Sequence, residues 1–437
     1  MKDPDLFSGL LLFILLSVAG GLALSATRNH RQALGFQVRI FLYAFAVRFA
    51  LSIVIYEFGL VNILGDEDAS GWLAGVGFQQ TWMRQKVDLL DLPSVLLGAY
   101  DGHHRGYGYM LGALFYLWGA PARMPAAVLN CFFGALTCVF AYRTASTLFS
   151  SWVAIRVGWL TCLFPSLVIW SAQTVKEPIV ILLETIALYC CTHLKLFGFS
   201  LRHALLCGLT ILLVVPFRFY AAYVAGAAVL LALILPQISR GKVTFSSALA
   251  VSVLVIPILV TSGILVRHEV EFERFNLQYI ESFRRNVAVG TGSGVETSYD
   301  LQTPTGFGMA TVVGGAHLLL APFPWQLTSG SLRKMLATPE LFVWWWLFFF
   351  GVLPGLWHSL RSRFSDIQPL LFFSFGLGLL YSVMFGNVGL AYRQRAQLLP
   401  WLLIFAVVGL EQRVLRRAVG RRVRISNQMA TEARRWL

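Results

Sequence analysis

The stretch FSGLLLFILLSVAGGLALSA, residues 7–26, decides the fold class. It carries no charge, and a run of about 20 apolar residues is what a helix needs to cross the hydrocarbon core of a bilayer. Similar runs recur along the 437 residues, which are 57% hydrophobic and only 13% charged, against about 25% in a typical soluble domain. The sequence therefore predicts an all-α polytopic membrane protein with about 11–12 transmembrane helices.

Basic residues beside the apolar runs predict the direction of each crossing, because cytoplasmic loops are rich in Arg and Lys. Arg28, Arg31 and Arg39 follow the first run, so that loop is predicted to be cytoplasmic. The second run, 40–60, then ends on the extracytoplasmic side. The loop 62–106 is predicted to lie there and to contain a short helix in the membrane interface.

The chain divides into four predicted parts. They are a membrane module at 1–266 whose first outer loop is 62–106, an extracytoplasmic loop with an interfacial or re-entrant segment at 267–338, C-terminal transmembrane helices at 339–411, and a basic cytoplasmic tail at 412–437.

Two segments of the membrane module decide on which side of the membrane the later loops are predicted to lie. Residues 107–120 and 125–143 are predicted to form a helical hairpin. To keep later basic loops on the cytoplasmic side, 152–170 is predicted to return to the side it entered from, or to cross only partly.

Three consecutive carboxylates, Asp66, Glu67 and Asp68, stand directly after the second apolar run. Acidic groups beside lipid are costly and indicate function. A carboxylate there can act as a general base toward a hydroxyl or can hold a divalent cation. A solvated loop with helix-capping acids is the structural alternative.

Cations predicted at the same outer level come from two segments. The stretch YRQRAQLLP, residues 392–400, contains Arg393 and Arg395 beside Tyr392, and Arg218 is followed by Tyr220. The positive-inside rule disfavours arginines there, and a phosphate would compensate through forked hydrogen bonds. Lipid headgroups or the acidic cluster are alternative partners.

Further charged residues leave other possibilities open. Lys176 and Glu177 begin a predicted helix, where an acid also caps favourably. Asp101, His103 and His104 could hold a divalent metal ion, although a histidine pair in a polar loop is more often solvated. The six cysteines lie in apolar runs and predict no disulfide framework.

Several motifs follow one another in a familiar order. The acidic pair Asp66-Glu67 precedes the aromatic segments GYGY (106–109) and LFYLWG (114–119), and Glu177 begins a later helix. In this order the chain resembles the GT-C superfamily of polytopic glycosyltransferases. The resemblance is to the branch with protein O-mannosyltransferases and the bacterial lipid A aminoarabinose transferase, and it covers about residues 40–235.

The resemblance implies a donor and a site. The donor would be a sugar on polyprenyl phosphate, and Asp66, or Glu67 one place later, would be the essential carboxylate. Arg393, Arg395 and Arg218 would hold the donor phosphate.

The supporting residues in this interpretation are Asp68, Lys176, Glu177, Tyr220 and Tyr392. Transfer would invert the anomeric carbon. The acceptor would be a glycan, lipid or protein of the cell envelope, at the periplasmic face of a bacterial inner membrane.

Other functions remain open at this stage. A lipid-linked polysaccharide polymerase or ligase would also use outer arginines but not the first-loop acids. A lipid flippase or transporter would be expected to show an internal repeat, and none is visible. Half of the net charge of +14 comes from the tail 412–437, where anionic membrane lipids are the predicted partner and nucleic acid is not.

Overall fold

The computed structural model describes residues 5–26, 31–61, 69–88, 90–92, 94–95, 105–239, 276–289, 293–295, 299–326 and 332–435. Several sequence predictions lie outside these residues, namely those for Asp66, Glu67, Asp68, Asp101, His103 and His104.

The described residues form α-helices and no β-strand, which confirms the all-α polytopic class. In chain order the helices are α1 (Leu6–Ala26), α2 (Arg31–Glu57), α3 (Ala69–Arg84), α4 (Gly106–Trp118), α5 (Arg123–Leu148), α6 (Ser151–Leu163), α7 (Pro165–Ser171), α8 (Glu177–Phe197), α9 (Leu201–Ser239), α10 (Leu277–Val289), α11 (Pro304–Leu320), α12 (Leu332–Leu347), α13 (Leu353–Val383) and α14 (Val388–Arg435). Seven helical stretches of the described residues are long and apolar enough to cross a membrane, two of them with a break inside, and the bent pair α6–α7 adds an eighth.

Helix α9 folds back on itself at Arg218, where the backbone is extended (φ −159°, ψ 78°). Arg218 contacts Glu177 at the start of α8, whereas the Lys195 amine donates to the carbonyl of Ala232 at 2.6 Å. Lys195 lies about 27 Å further along α8, at 1.5 Å per residue. Helix α9 starts at Leu201, just after α8 ends at Phe197, so it leaves the Lys195 end, reaches Glu177 at Arg218 and is back beside Lys195 at Ala232. A straight helix cannot do this, so α9 supplies two passes.

Helices α12 and α13 reverse in the same way, at Arg363 (φ −143°, ψ 32°). Glu340 in α12 accepts from the Tyr392 hydroxyl, and the Tyr381 hydroxyl in α13 donates to Gln397. Both contacts reach one short segment of α14. A straight helix from 340 to 381 would be about 62 Å long, so the chain must cross twice between them.

These contacts define two ends of the bundle. The Glu177 end holds Glu177, Arg218 and Tyr381, and the Glu411 end holds Glu411, which accepts from Ser150. Helix α2 runs from the Glu411 end to the Glu177 end. Its Gln37 accepts from Arg143 near the end of α5, while the Tyr56 hydroxyl lies 3.4 Å from that of Thr174, just before α8. The first long loop therefore leaves the bundle at the Glu177 end.

Helix α4 is the reason that the predicted topology differs from the structure. It has 13 residues, about 20 Å of helix, and packs mainly along α3. The predicted hairpin of 107–120 with 125–143 is therefore wrong. The Tyr107 hydroxyl accepts from Asn130, whose amide also donates to the carbonyl of Val175, so α4 begins at the Glu177 end and α5 starts from that same end.

Residues 151–171 consequently make a complete pass, which corrects the predicted partial or returning segment. Helix α6 begins at the Glu411 end, and α7 ends at the Glu177 end after a 53° bend. Pro165 lacks the N–H that would continue the helix. Arg48 from α2 donates instead to the freed carbonyls of Thr161 (3.2 Å) and Cys162 (3.0 Å) and to the Ser171 hydroxyl (2.8 Å).

Replacement of Arg48 by Lys is expected to loosen this bend. Lysine keeps the charge but has three donors instead of five, so carbonyls at the end of α6 lose partners, at about 1–3 kcal/mol for each buried group. Amide hydrogen exchange should become faster in α7 of the variant and stay unchanged in α14. Equal amide exchange rates in α7 of the two proteins would contradict the conclusion that Arg48 holds the bend between α6 and α7.

The described part of 267–338 lies mainly at the Glu177 end. The backbone of Val295 donates to the carbonyl of Gly386, and that of Val388 donates to the carbonyl of Ser293. Helix α11 packs along α13 and ends beside α14. The interfacial or re-entrant character of this segment stays a prediction.

Candidate functional site

A buried carboxylate joins two arginines at the Glu177 end. Glu177 Oε1 accepts from Arg218 Nη2 at 2.7 Å, and Oε2 accepts from Arg393 Nη2 at 2.6 Å. Glu177 is fully buried, whereas the Arg393 side chain keeps 19% of its surface exposed. The pairing spares three charges much of their desolvation cost, and Arg393 is the member that a ligand can reach.

The sequence places Glu177 and Arg218 through local breaks. Lys176 and Pro178 flank Glu177 in the first turn of α8, where a proline costs no hydrogen bond and an acid is favourable. Arg218 stands at the turn of α9, two residues after Pro216. Its side chain is thereby free to point at α8 rather than along its own helix.

Helices α13 and α14 hold Arg218 from its other side. Arg218 Nη1 donates to the Tyr381 hydroxyl at 2.9 Å, which donates to Gln397 Oε1 at 2.7 Å. The Arg218 guanidinium also lies 5.8 Å from the centre of the Tyr220 ring. Four passes thus meet at one cation.

A second buried cluster surrounds Glu340. Its Oε1 accepts from the Ser166 hydroxyl at 2.6 Å, and its Oε2 accepts from the Tyr392 hydroxyl at 2.7 Å. Arg395 Nη2 lies 3.8 Å from Glu340 Oε1, and Arg395 Nη1 donates to the carbonyl of Ala321 at 3.0 Å. Arg395 is fully buried, and its Nε has no acceptor among the described residues.

A histidine fixes the chain just after α11, beside the Ala321 carbonyl. His317 Nδ1 lies 2.8 Å from the carbonyl of Val313, and its Nε2 lies 3.2 Å from the amide nitrogen of Gln326. Burial lowers the pKa of His317, so the ring is neutral at neutral pH. Nδ1–H then donates to the carbonyl, and Nε2 accepts from Gln326.

The structure brings together most of the predicted phosphate-site and supporting residues. Those that meet at the Glu177 end are Lys176, Glu177, Arg218, Tyr220, Tyr392, Arg393 and Arg395. Arg395 belongs to the Glu340 cluster rather than to the Glu177 cluster. Sequence reasoning missed Glu340, Ser166, Tyr381 and Gln397, whose roles come from contacts distant in the chain.

Metal binding finds no support within the described ranges, where no group of three or more His, Cys, Asp or Glu side chains converges. The predicted alternative at Asp101, His103 and His104 lies outside those ranges. The described charges instead favour an anion, because three arginines are accompanied by two glutamates in the two clusters. Arginine forks suit the oxygens of phosphate.

Comparisons with protein-family models and with curated proteins find no match to this chain. The fold and the site together define it as a polytopic all-α membrane protein with a buried arginine–glutamate site at one end of the helix bundle.

Proposed function

We propose that the protein is an integral membrane glycosyltransferase that moves a sugar from a polyprenyl-phosphate donor to a glycan, lipid or protein of the cell envelope. The observation that carries the proposal is that three arginines, Arg218, Arg393 and Arg395, gather at one end of the bundle. They are accompanied there by two carboxylates, those of Glu177 and Glu340. The proposed setting is a bacterial inner membrane, with this end facing the periplasm.

The arginines suit the leaving group of such a reaction. A polyprenyl phosphate presents its phosphate at headgroup level, and Arg393 at the Glu177 end is partly exposed and can meet it there. Negative charge grows on the phosphate as its bond to the sugar breaks, and arginines fixed in advance stabilise that charge. Glu177 and Tyr381 fix Arg218 for this role.

The proposed base comes from the acidic segment after α2. An acceptor hydroxyl oxygen attacks the anomeric carbon, its proton goes to the carboxylate of Asp66, and the polyprenyl phosphate leaves from the opposite face, which inverts the centre. Glu67 takes this role if the pair is read one place later. The Tyr56–Thr174 contact supports the assignment, since it sets the start of this loop at the Glu177 end.

Asp66→Asn is expected to lower transfer by about 100-fold or more, the usual contribution of a general base. The full chain in nanodiscs would be given polyprenyl-phosphate sugars with labelled heads and envelope acceptors, and released polyprenyl phosphate would be measured by mass spectrometry. Asp91→Asn, a change in the same loop, is the matched control and should stay active. Full turnover by Asp66→Asn would contradict the role of Asp66 as the base.

The same arginines also support a lipid-linked polysaccharide polymerase or ligase. This second candidate predicts turnover that depends on Arg393 but survives Asp66→Asn. A flippase predicts donor binding at the arginines without release of polyprenyl phosphate from any acceptor mixture. The single assay with Asp66→Asn and Arg393→Gln therefore separates the three.

A further inference from the structure

Three buried side chains, those of Glu184, Arg218 and Gln397, have polar atoms without partners among the described residues. Both carboxylate oxygens of Glu184 accept no hydrogen bond, and Arg218 Nε and Gln397 Nε2 donate none. The three residues are 1%, 7% and 0% exposed. A buried polar atom without a partner costs about 1–3 kcal/mol, so four such atoms in one region call for a ligand.

The four atoms belong to one polar region. Tyr381 links Arg218 to Gln397 through its hydroxyl, and Glu184 lies on α8, the helix that packs against α9, α13 and α14. Glu184 follows Glu177 by two turns of α8, about 10 Å, and lies on nearly the same face. The region therefore extends inward from the Glu177 cluster, toward the middle of the bundle.

The atoms without partners include both hydrogen-bond acceptors and hydrogen-bond donors. Glu184 offers acceptors, while Arg218 Nε and Gln397 Nε2 offer donors. None of these four atoms has a hydrogen-bond partner among the described residues, and a small molecule that both donates and accepts would satisfy both kinds. Water meets this requirement, and buried water in proteins usually makes about three hydrogen bonds to such groups.

We propose that ordered water binds between Glu184, Arg218 and Gln397, so that the polar site continues about two turns into the bundle as a hydrated pocket. Water there donates to the Glu184 carboxyl group and accepts from Arg218 and Gln397. This inference concerns hydration of the bundle interior and does not depend on the proposed transferase activity.

Radiolytic hydroxyl-radical labelling of the full chain in nanodiscs tests the pocket, because radicals formed from bound water modify adjacent side chains. Tyr381 should be labelled although it is fully buried. Phe41 is equally buried, among Phe45 and Phe132 in an apolar cluster, and should stay unmodified. Labelling of Tyr381 no greater than that of Phe41, after correction for intrinsic reactivity, would overturn the proposal.

Two variants of Glu184 give a matched comparison. Glu184→Leu removes both acceptors and should lower labelling of Tyr381 several-fold, whereas Glu184→Gln keeps polar atoms and should retain it. Unchanged labelling in a folded Glu184→Leu protein would also overturn the proposal. The comparison of Tyr381 with Phe41 is made in the wild-type chain and decides the matter even where the leucine variant does not fold.

Discussion

Replacement of Glu177 by Gln is expected to lower the free energy of unfolding by about 3–5 kcal/mol, because it leaves two arginines without their buried counter-charge. Arg218 and Glu177 are almost completely buried, so solvent cannot replace the lost carboxylate. Unfolding by SDS titration, followed by tryptophan fluorescence, would measure the change.

Two further variants give this experiment its controls. Glu281→Gln breaks an ion pair with Arg285, whose side chain is 68% exposed, and should cost less than Glu177→Gln because water can replace the lost partner of Arg285. The double variant Glu177→Gln/Arg218→Gln should be more stable than the sum of the two single changes implies, since one unpaired cation is removed with its partner. A cost for Glu177→Gln no larger than that of Glu281→Gln would contradict the description of this site as a desolvated ion cluster.

Replacement of Gly355 by Val is expected to cost about 3 kcal/mol through overpacking. Helix α13 lies directly against α14 here, and a Cβ at Gly355 would come within 2.7 Å of the Gly409 amide nitrogen and 2.9 Å of the Phe405 carbonyl carbon. These neighbours are backbone atoms and cannot move aside as a side chain would. Small residues allow such close approach between membrane helices.

Gly378 in the same helix is the matched control for this prediction. The nearest atom to a Cβ there is a methyl carbon of Leu398 at 3.9 Å, so Gly378→Val should change stability by less than about 1 kcal/mol. Melting temperatures of both variants in one detergent would make the comparison. Similar melting temperatures for the two would contradict the close packing of α13 on α14.

The candidate residues that the sequence singled out and the structure brings to one end of the bundle were those with a strong local signal. Three cations, Arg218, Arg393 and Arg395, stand out because they lie at the predicted extracytoplasmic end of an apolar run. The positive-inside rule disfavours arginines there, so it singles them out without any tertiary contact. Lys176-Glu177 was visible as the start of a helix. Their meeting at one end of the bundle follows once each pass has a direction.

The residues that were missed depend on distant partners. Glu340 resembles an ordinary acid in a helix, and its burial follows from contacts distant in the chain, with Ser166, 174 residues earlier, and with Tyr392, 52 residues later. In the sequence, Tyr381 looks like an ordinary core residue and Gln397 like an ordinary polar residue of a helix. Arg48 is different, because a cation inside an apolar run is itself a signal, and it could have been identified from the sequence.

The topology error has a similar physical cause. Residues 107–120 are apolar enough for a crossing, but α4 buries that surface against α3 instead of lipid. Hydropathy does not distinguish burial against protein from burial in lipid. The sequence prediction therefore counted 107–120 as a crossing, and it kept the later basic loops on the cytoplasmic side by letting 152–170 return or cross only partly. The described contacts show instead that α4 is the segment that does not cross, whereas 151–171 makes a complete pass.

The long sequence separation within the Glu177 cluster has a consequence for biosynthesis. Arg218 follows Glu177 by 41 residues and Arg393 follows it by 216. At about 5–20 residues per second, a ribosome needs about 10–40 s to reach Arg393 after Glu177 is made. During that interval the new chain holds a one-to-one ion pair in place of the finished triad, and a nascent or truncated chain therefore differs chemically from a complete one at this end of the bundle.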